Sequence, residues 1–253
     1  MKGRVLIVAG SDSGGGAGIQ ADIKTVTMLG GHAMTAITAI TAQNTLGVTA
    51  VHTVPVEMVL AQIDAVVGDI GVDAIKIGMI GSRETAEMLS ERLKALVGIP
   101  IVFDPVMVAT SGSSLAGRDT VAAFGDLMDI ATIVTPNLPE LAALGGSAET
   151  LARRHDCAVL VKGGHAPGHM LVDRLVREGM SPVEWRSDRI DTRHDHGTGC
   201  TLASAVATGL GQGVNLVEAI GHAREYVRAV LTAAPGLGDG HGPMGHGLGG
   251  VFR

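Results

Sequence analysis

The run His196-Gly197-Thr198-Gly199-Cys200-Thr201-Leu202-Ala203 joins a glycine-containing turn to an alanine-rich segment that reads as a helix over 198–209. The first turn of a helix leaves backbone N–H groups without partners, and these carry the positive end of the helix dipole. Such a turn holds anions, phosphate above all. Cys200 stands at that helix start, where a thiol pKa is lowered and the thiolate favoured. An anion cradle with an ionisable group inside it points to phosphoryl transfer.

Upstream, short apolar runs at 5–9, 34–41, 74–77, 101–103, 132–134 and 158–161 read as strands. Between them lie segments of helical periodicity, including 56–70, 85–96 and 120–128. This alternation predicts a mainly parallel sheet covered on both faces. Residues 170–186, with their Gly179-Met180-Ser181-Pro182 turn, read as an antiparallel hairpin at one edge. Helices over 198–209 and 216–233 follow, and the Gly- and His-rich tail 235–253 is expected to wrap loosely over the surface. Residues 1–253 read as a single domain, since no linker, repeat or low-complexity block divides them.

Composition narrows the class. Hydrophobic residues make up 46% of the 253, ample for a sizeable core, but aromatics only 2%, so aliphatic residues and Met must fill it. The 37 glycines fit many tight strand-to-helix turns. A net charge of -6 argues against nucleic acid or a polybasic membrane contact. No stretch approaches the roughly 20 apolar residues of a membrane span, and 5–9 is too short for a signal-peptide core. Two cysteines, Cys157 and Cys200, fit a reducing cytoplasm.

In open α/β sheets, ligands gather at the carboxyl ends of the strands. Gly10, Gly78, Asp104, Thr135 and Lys162 all fall there. The loop Gly10-Ser11-Asp12-Ser13-Gly14-Gly15-Gly16-Ala17-Gly18 follows a strand and opens a helix, without the Gly-Lys-Ser/Thr of a Walker A motif. In the helix after it, Asp22 falls at the edge of an apolar stripe, either as a substrate acceptor or as a first-turn charge complementing the dipole. Gln43 donates and accepts at once, which suits an aminopyrimidine edge as well as an ordinary loop. Asp104 and Glu140 are oxygen ligands of the kind Mg²⁺ takes, while Asn137 and Glu140 also have capping-box spacing. Lys162, beside Gly163 and Gly164, reads as a point charge for a polyphosphate or as an exposed strand-end lysine. His194, His196, His241 and His246 lack metal-ligand spacing and read as solvated or loop-stabilising.

Taken in order, these segments resemble the ribokinase-like superfamily, and within it the hydroxymethylpyrimidine/phosphomethylpyrimidine kinases of thiamine biosynthesis. The resemblance runs from residues 9–22 through Thr41-Ala42-Gln43, Lys76-Ile77-Gly78-Met79, Asp104-Pro105-Val106-Met107, Thr135-Pro136-Asn137, Val161-Lys162-Gly163-Gly164-His165 and the cradle to Gly240-His241-Gly242-Pro243. It implies a three-layer αβα sandwich, and two ATP-dependent phosphorylations of 4-amino-5-hydroxymethyl-2-methylpyrimidine. It also implies that Gly10, Ala17, Asp22, Gln43, Met79 and Val106 bind the pyrimidine. By the same resemblance Asn137, Lys162, Gly164 and Thr198 face ATP, and Asp104 and Glu140 face Mg²⁺. Gly197, Thr198 and Gly199 form the anion hole, and Cys200 stands where many sugar kinases of the superfamily carry a catalytic Asp. A homodimer is implied as well. Pyridoxal or pyridoxine kinase is the alternative. A covalent thiol enzyme and a non-catalytic sensor are more distant rivals. Asp195, beside the cradle, is an unexpected charge near bound phosphate.

Overall fold

Successive residues of a strand point to opposite faces, and the central strands of this chain are largely apolar on both. A computed structural model describes residues 3–165 and 168–247, the side chain of His165 excepted. In β1 (Arg4–Asp12), Leu6 and Val8 enter one buried cluster, while Val5, Ile7 and Ala9 enter another. The same division runs through β4 (Ala74–Ile77), β5 (Ile101–Phe103), β6 (Ile133–Val134) and β7 (Ala158–Val161). With β2 (His32–Gln43) they form a six-strand parallel block in the order β2-β1-β4-β5-β6-β7.

Helices cover each face. On one lie α2 (Val56–Asp69), α3 (Arg83–Leu93), α4 (Arg118–Ala122), α5 (Phe124–Met128) and α7 (Ala148–His155). On the other lie α1 (Gly18–Met28), α8 (Thr198–Gly211) and α9 (Leu216–Thr232). The short α6 (Leu138–Ala143) follows β6. Local signals start several helices: Ser82, Ser147 and Asn215 each accept the N3 amide of the helix they precede, satisfying an otherwise orphaned donor. Among the described residues no helix is long and apolar enough to cross a membrane.

The edges are antiparallel. The expected hairpin forms β8 (Met170–Val176) and β9 (Val183–Asp188) beside β7. A second edge strand, β3 (Val48–Thr53), pairs antiparallel with β2 and was not expected from the sequence. Asn44 Oδ1 accepts the amides of Leu46 and Gly47 and so reverses the chain into it. The expected helix over 120–128 is instead two short helices, because the Ala123 amide splits its bond between the Asp119 and Thr120 carbonyls and tightens the turn. The tail is also bound more firmly than expected. His241 N donates to Thr45 O, Gly245 N to Val230 O, and Gly242 O accepts from His196 N. Residues 248–253 of that tail lie outside the described residues.

Phe103 and Phe124 meet edge to face at 5.2 Å across the sheet–helix interface, both fully buried. Removing either ring takes a large buried side chain out of the packed cluster. Phe124→Ala should therefore lower stability by about 3–5 kcal/mol in urea unfolding followed by circular dichroism.

Candidate active site

The carboxyl ends of the parallel strands open into a cavity of about 890 Å³. Its wall contains Gly10, Ala17, Gln43, Met79, Val106, Asp104, Asn137, Glu140, Lys162, Gly164, Gly197, Thr198, Gly199 and Cys200, while Asp22 and the strand-end residues Gly78 and Thr135 do not line it.

The cradle is built by the meeting of two glycine turns. Gly197 has φ +88°, a left-handed conformation, and a Cβ there would run into the carbonyl oxygen of Gly16. The turn into α8 therefore sits directly on the β1–α1 loop. Asp195 O accepts the Thr198 amide at 3.3 Å, while the amides of Gly197, Gly199 and Cys200 have no acceptor among the described residues. Three N–H groups without acceptors at the start of a fourteen-residue helix have the chemistry that suits an anion. Asp195 itself turns to His241, whose Nδ1 lies 2.8 Å from Oδ1.

Asp12, not singled out as a candidate in the sequence, shapes the opposite side. Its Oδ1 accepts Gly14 N at 2.8 Å, and its Oδ2 accepts Gly16 N at 3.0 Å and Ala17 N at 2.8 Å. Burial would raise this carboxyl, but hydrogen bonds from His196, Ala17 and Gly14 hold it below its usual range. His196, which the sequence left as a loop histidine, is 7% exposed and lines the cavity.

Lys162, at the end of β7, donates to Asp104 Oδ1 at 2.7 Å and lies 3.8 Å from Glu140 Oε2. Burial would raise Asp104, but Lys162 and Lys76 outweigh it and keep the carboxyl low. Glu140 moves the other way, lifted by its burial. Asn137 and Glu140 complete the expected capping box, each bond 2.8 Å. Asp104 Oδ2 carries no hydrogen bond among the described residues, and Mg²⁺ takes one or two carboxylates with phosphates and water, so this oxygen set fits that ion. No group of three His, Cys, Asp or Glu side chains that would hold a metal by themselves occurs among the described residues.

Two expectations change. Asp22 is 0% exposed: its Oδ2 pairs with Lys76 Nζ at 2.8 Å and its Oδ1 accepts Ser204 Oγ at 2.7 Å. Both oxygens are engaged behind the cavity wall, because Lys76 is itself fully buried and needs a counter-ion. Burial alone would lower the Lys76 ammonium, but the Asp22 charge raises it. The Cys200 thiol is pushed up to about 11, not down. Burial is the main cause, and Asp22 and Asp104 add to it; Lys76 and the Gly18 amide only partly oppose them.

A doubly wound sheet with an anion cradle and a strand-end lysine on one cavity is the arrangement of the ribokinase-like small-molecule kinases. A family described as phosphomethylpyrimidine kinase matches residues 12–245. A Rhizobium meliloti protein named hydroxymethylpyrimidine/phosphomethylpyrimidine kinase is 49% identical, over 95% of this chain and 96% of its own length. The ADP complex of a Bacillus subtilis pyridoxal kinase superposes with a TM-score of 0.90 at 31% identity, covering 99% of this chain and 100% of that one. A phosphomethylpyrimidine kinase from Clostridium difficile gives a TM-score of 0.78 at 37% identity, covering 89% and 97%. The chain belongs to the phosphomethylpyrimidine kinase family.

Two measurements check these electrostatics. Lys76→Met should destabilise the fold by about 3–5 kcal/mol, because it strands the Asp22 carboxylate, and Lys76→Met with Asp22→Leu should recover much of that loss in the same unfolding assay. Alkylation of Cys200 by iodoacetamide should be slow at neutral pH and rise roughly tenfold per pH unit without levelling below about pH 10, since only the thiolate reacts.

Proposed function

We propose that the protein transfers the γ-phosphoryl group of ATP to the hydroxymethyl group of 4-amino-5-hydroxymethyl-2-methylpyrimidine, and then phosphorylates the monophosphate to the diphosphate, in thiamine biosynthesis. The observation that carries this reading is the convergence on one cavity of the free cradle amides, the Lys162 ammonium and the Gln43 amide. Family membership and the named kinase at 49% identity support the same substrate.

Phosphoryl transfer depends chiefly on positioning and on stabilising charge over the transferred group. The amides of Gly197, Gly199 and Cys200 face the oxygens of that group, with Thr198 at the same turn. Lys162 adds a point charge, and Asn137 and Gly164 border the nucleotide end. Asp104 and Glu140 would hold Mg²⁺, which neutralises phosphate charge when bound. Gly10, Ala17, Met79 and Val106 surround the ring, and Gln43 meets its polar edge. Asp22 acts from behind the wall, through Lys76. Lys76 and the Gly18 amide favour the Cys200 thiolate, which takes the hydroxyl proton in the first transfer. In the second transfer the acceptor is a phosphate monoester, already anionic, and needs no base. We take the active form to be a homodimer in the cytoplasm, which light scattering at twice the 25.7 kDa chain mass would bear out.

Incubation with ATP, Mg²⁺ and the hydroxymethylpyrimidine should give the mono- and diphosphate by mass spectrometry; an unchanged pyrimidine sinks the reading. Pyridoxal belongs in a parallel assay because of the fold shared with a pyridoxal kinase, and a higher kcat/KM for pyridoxal would reverse the assignment. Because the Cys200 thiol is raised to about 11, the thiolate fraction grows with pH throughout the working range. The kcat of the first phosphorylation should therefore climb from about pH 7 to about pH 10, while that of the second stays flat. Cys200→Ala should remove the climb and slow the first step about a hundredfold, the low end of general-base contributions, with the second step little changed.

A further inference from the structure

His196 joins the β1 end and its following loop, the end of β2, the loop after β5 and the tail at one end of the cavity. Its Nε2 lies 3.0 Å from Asp12 Oδ2 at the end of β1 and 3.1 Å from Gln43 Nε2 at the end of β2. Its Nδ1 lies 3.3 Å from Thr110 Oγ1, in the loop after β5 that lines the cavity through Met107, Val108, Ala109 and Gly112. Its backbone amide holds Gly242 O, in the tail. The ring lies so close over Gly16 that a Cβ there would overlap it.

Hydrogen-bond chemistry fixes the proton in this cluster. Asp12 Oδ2 already accepts two backbone amides and, as a carboxylate, can only accept. The hydrogen between it and His196 is therefore on Nε2, and whenever the ring carries that one hydrogen Nδ1 is left to accept from the Thr110 hydroxyl. Two N–H donors cannot bond each other, and the oxygen and nitrogen of an amide exchange by a half-turn about χ3. The bonded state thus has the Gln43 carbonyl oxygen facing His196. The Gln43 nitrogen then lies 3.0 Å from Thr41 Oγ1, which passes its own hydrogen to Ser11 O at 2.9 Å. Every group in the chain is satisfied in this arrangement, and the reverse orientation leaves Nε2 of His196 opposed by a second donor. One amide N–H and one oxygen lone pair of Gln43 stay unpaired among the described residues, on a side chain that lines the cavity.

We propose that His196 is a positioning residue for the pyrimidine. Its Nε2–H, shared between Asp12 and Gln43, locks the Gln43 amide in the one orientation that offers a fixed donor and acceptor to the substrate ring, and Nδ1 draws the Thr110 loop over it. The inference rests on the pyrimidine kinase activity proposed above and adds to it the residue that sets the polarity of the recognition edge.

Two experiments test it. Long-range ¹H–¹⁵N spectra of protein labelled in histidine, without substrate, should show His196 protonated at Nε2; an Nδ1–H ring overturns the proposal. In steady-state kinetics, His196→Ala should raise KM for the hydroxymethylpyrimidine about tenfold, the effect of one lost and one misaligned hydrogen bond. The KM for ATP and the kcat of that variant should stay within about threefold of the parent, because the cradle amides are backbone groups. His196→Gln, whose side-chain N–H replaces Nε2–H, should recover most of the KM. An unchanged pyrimidine KM in His196→Ala overturns the proposal, as does a fall in kcat that His196→Gln fails to repair. Parent enzyme inactive on the pyrimidine would overturn the activity itself, an outcome distinct from active enzyme lacking the KM effect.

Discussion

The Lys76–Asp22 ion pair is the constraint around which the molecule is arranged. It joins β4, in the middle of the parallel block, to α1, and through Ser204 to α8. Both partners are withdrawn from water, so neither tolerates loss of the other. The pair also fixes register. Ile75 and Ile77 face one cluster and Lys76 the other face, so a one-residue slip of β4 would set an ammonium among Leu and Phe and an isoleucine against Asp22. Hydrophobicity alone leaves such a slip cheap in a strand that is apolar on both sides. Charge makes it prohibitive.

The cavity above this pair is organised by sign. Lys162 and Lys76 both act on Asp104, and the cradle amides stand on the same cavity. In the proposed reaction an incoming polyphosphate would meet cations already held by carboxylates. Their positions are set before binding, and little reorganisation is left for the transfer itself. The Cys200 thiol is raised mainly by its burial, and the carboxylates that hold the lysines add to that by opposing a further negative charge nearby.

Periodicity and punctuation made most of the fold legible. The six parallel strands and the β8–β9 hairpin stand where alternation and the Gly179–Pro182 turn put them. The β3 edge was missed because its six residues, largely solvent-facing, lack an apolar run, although Asn44 and Gly47 mark the turn before it. The strand-end residues were legible because the carboxyl edge of an open sheet gathers them together. Asp22 was misplaced because helical angle reports which face a residue takes and says nothing of the partner waiting there; Lys76, a charge inside an apolar strand, was the available signal. The Cys200 expectation failed in sign because a helix start is one influence among several, and burial beside two carboxylates is a long-range property. Asp12 and His196 were missed for a related reason: they meet across 184 residues of chain.

That separation has a consequence for synthesis. The end of the cavity proposed to take the pyrimidine is assembled from the opening loop, the end of the second strand, the turn before α8 and the tail at Gly242 and Pro243. A nascent chain on the ribosome can form its first strands and helices early, yet these walls face one another only when the last segment has emerged. Such distant closures make folding slow, and a prematurely terminated polypeptide would carry a sheet without a vessel for its substrate.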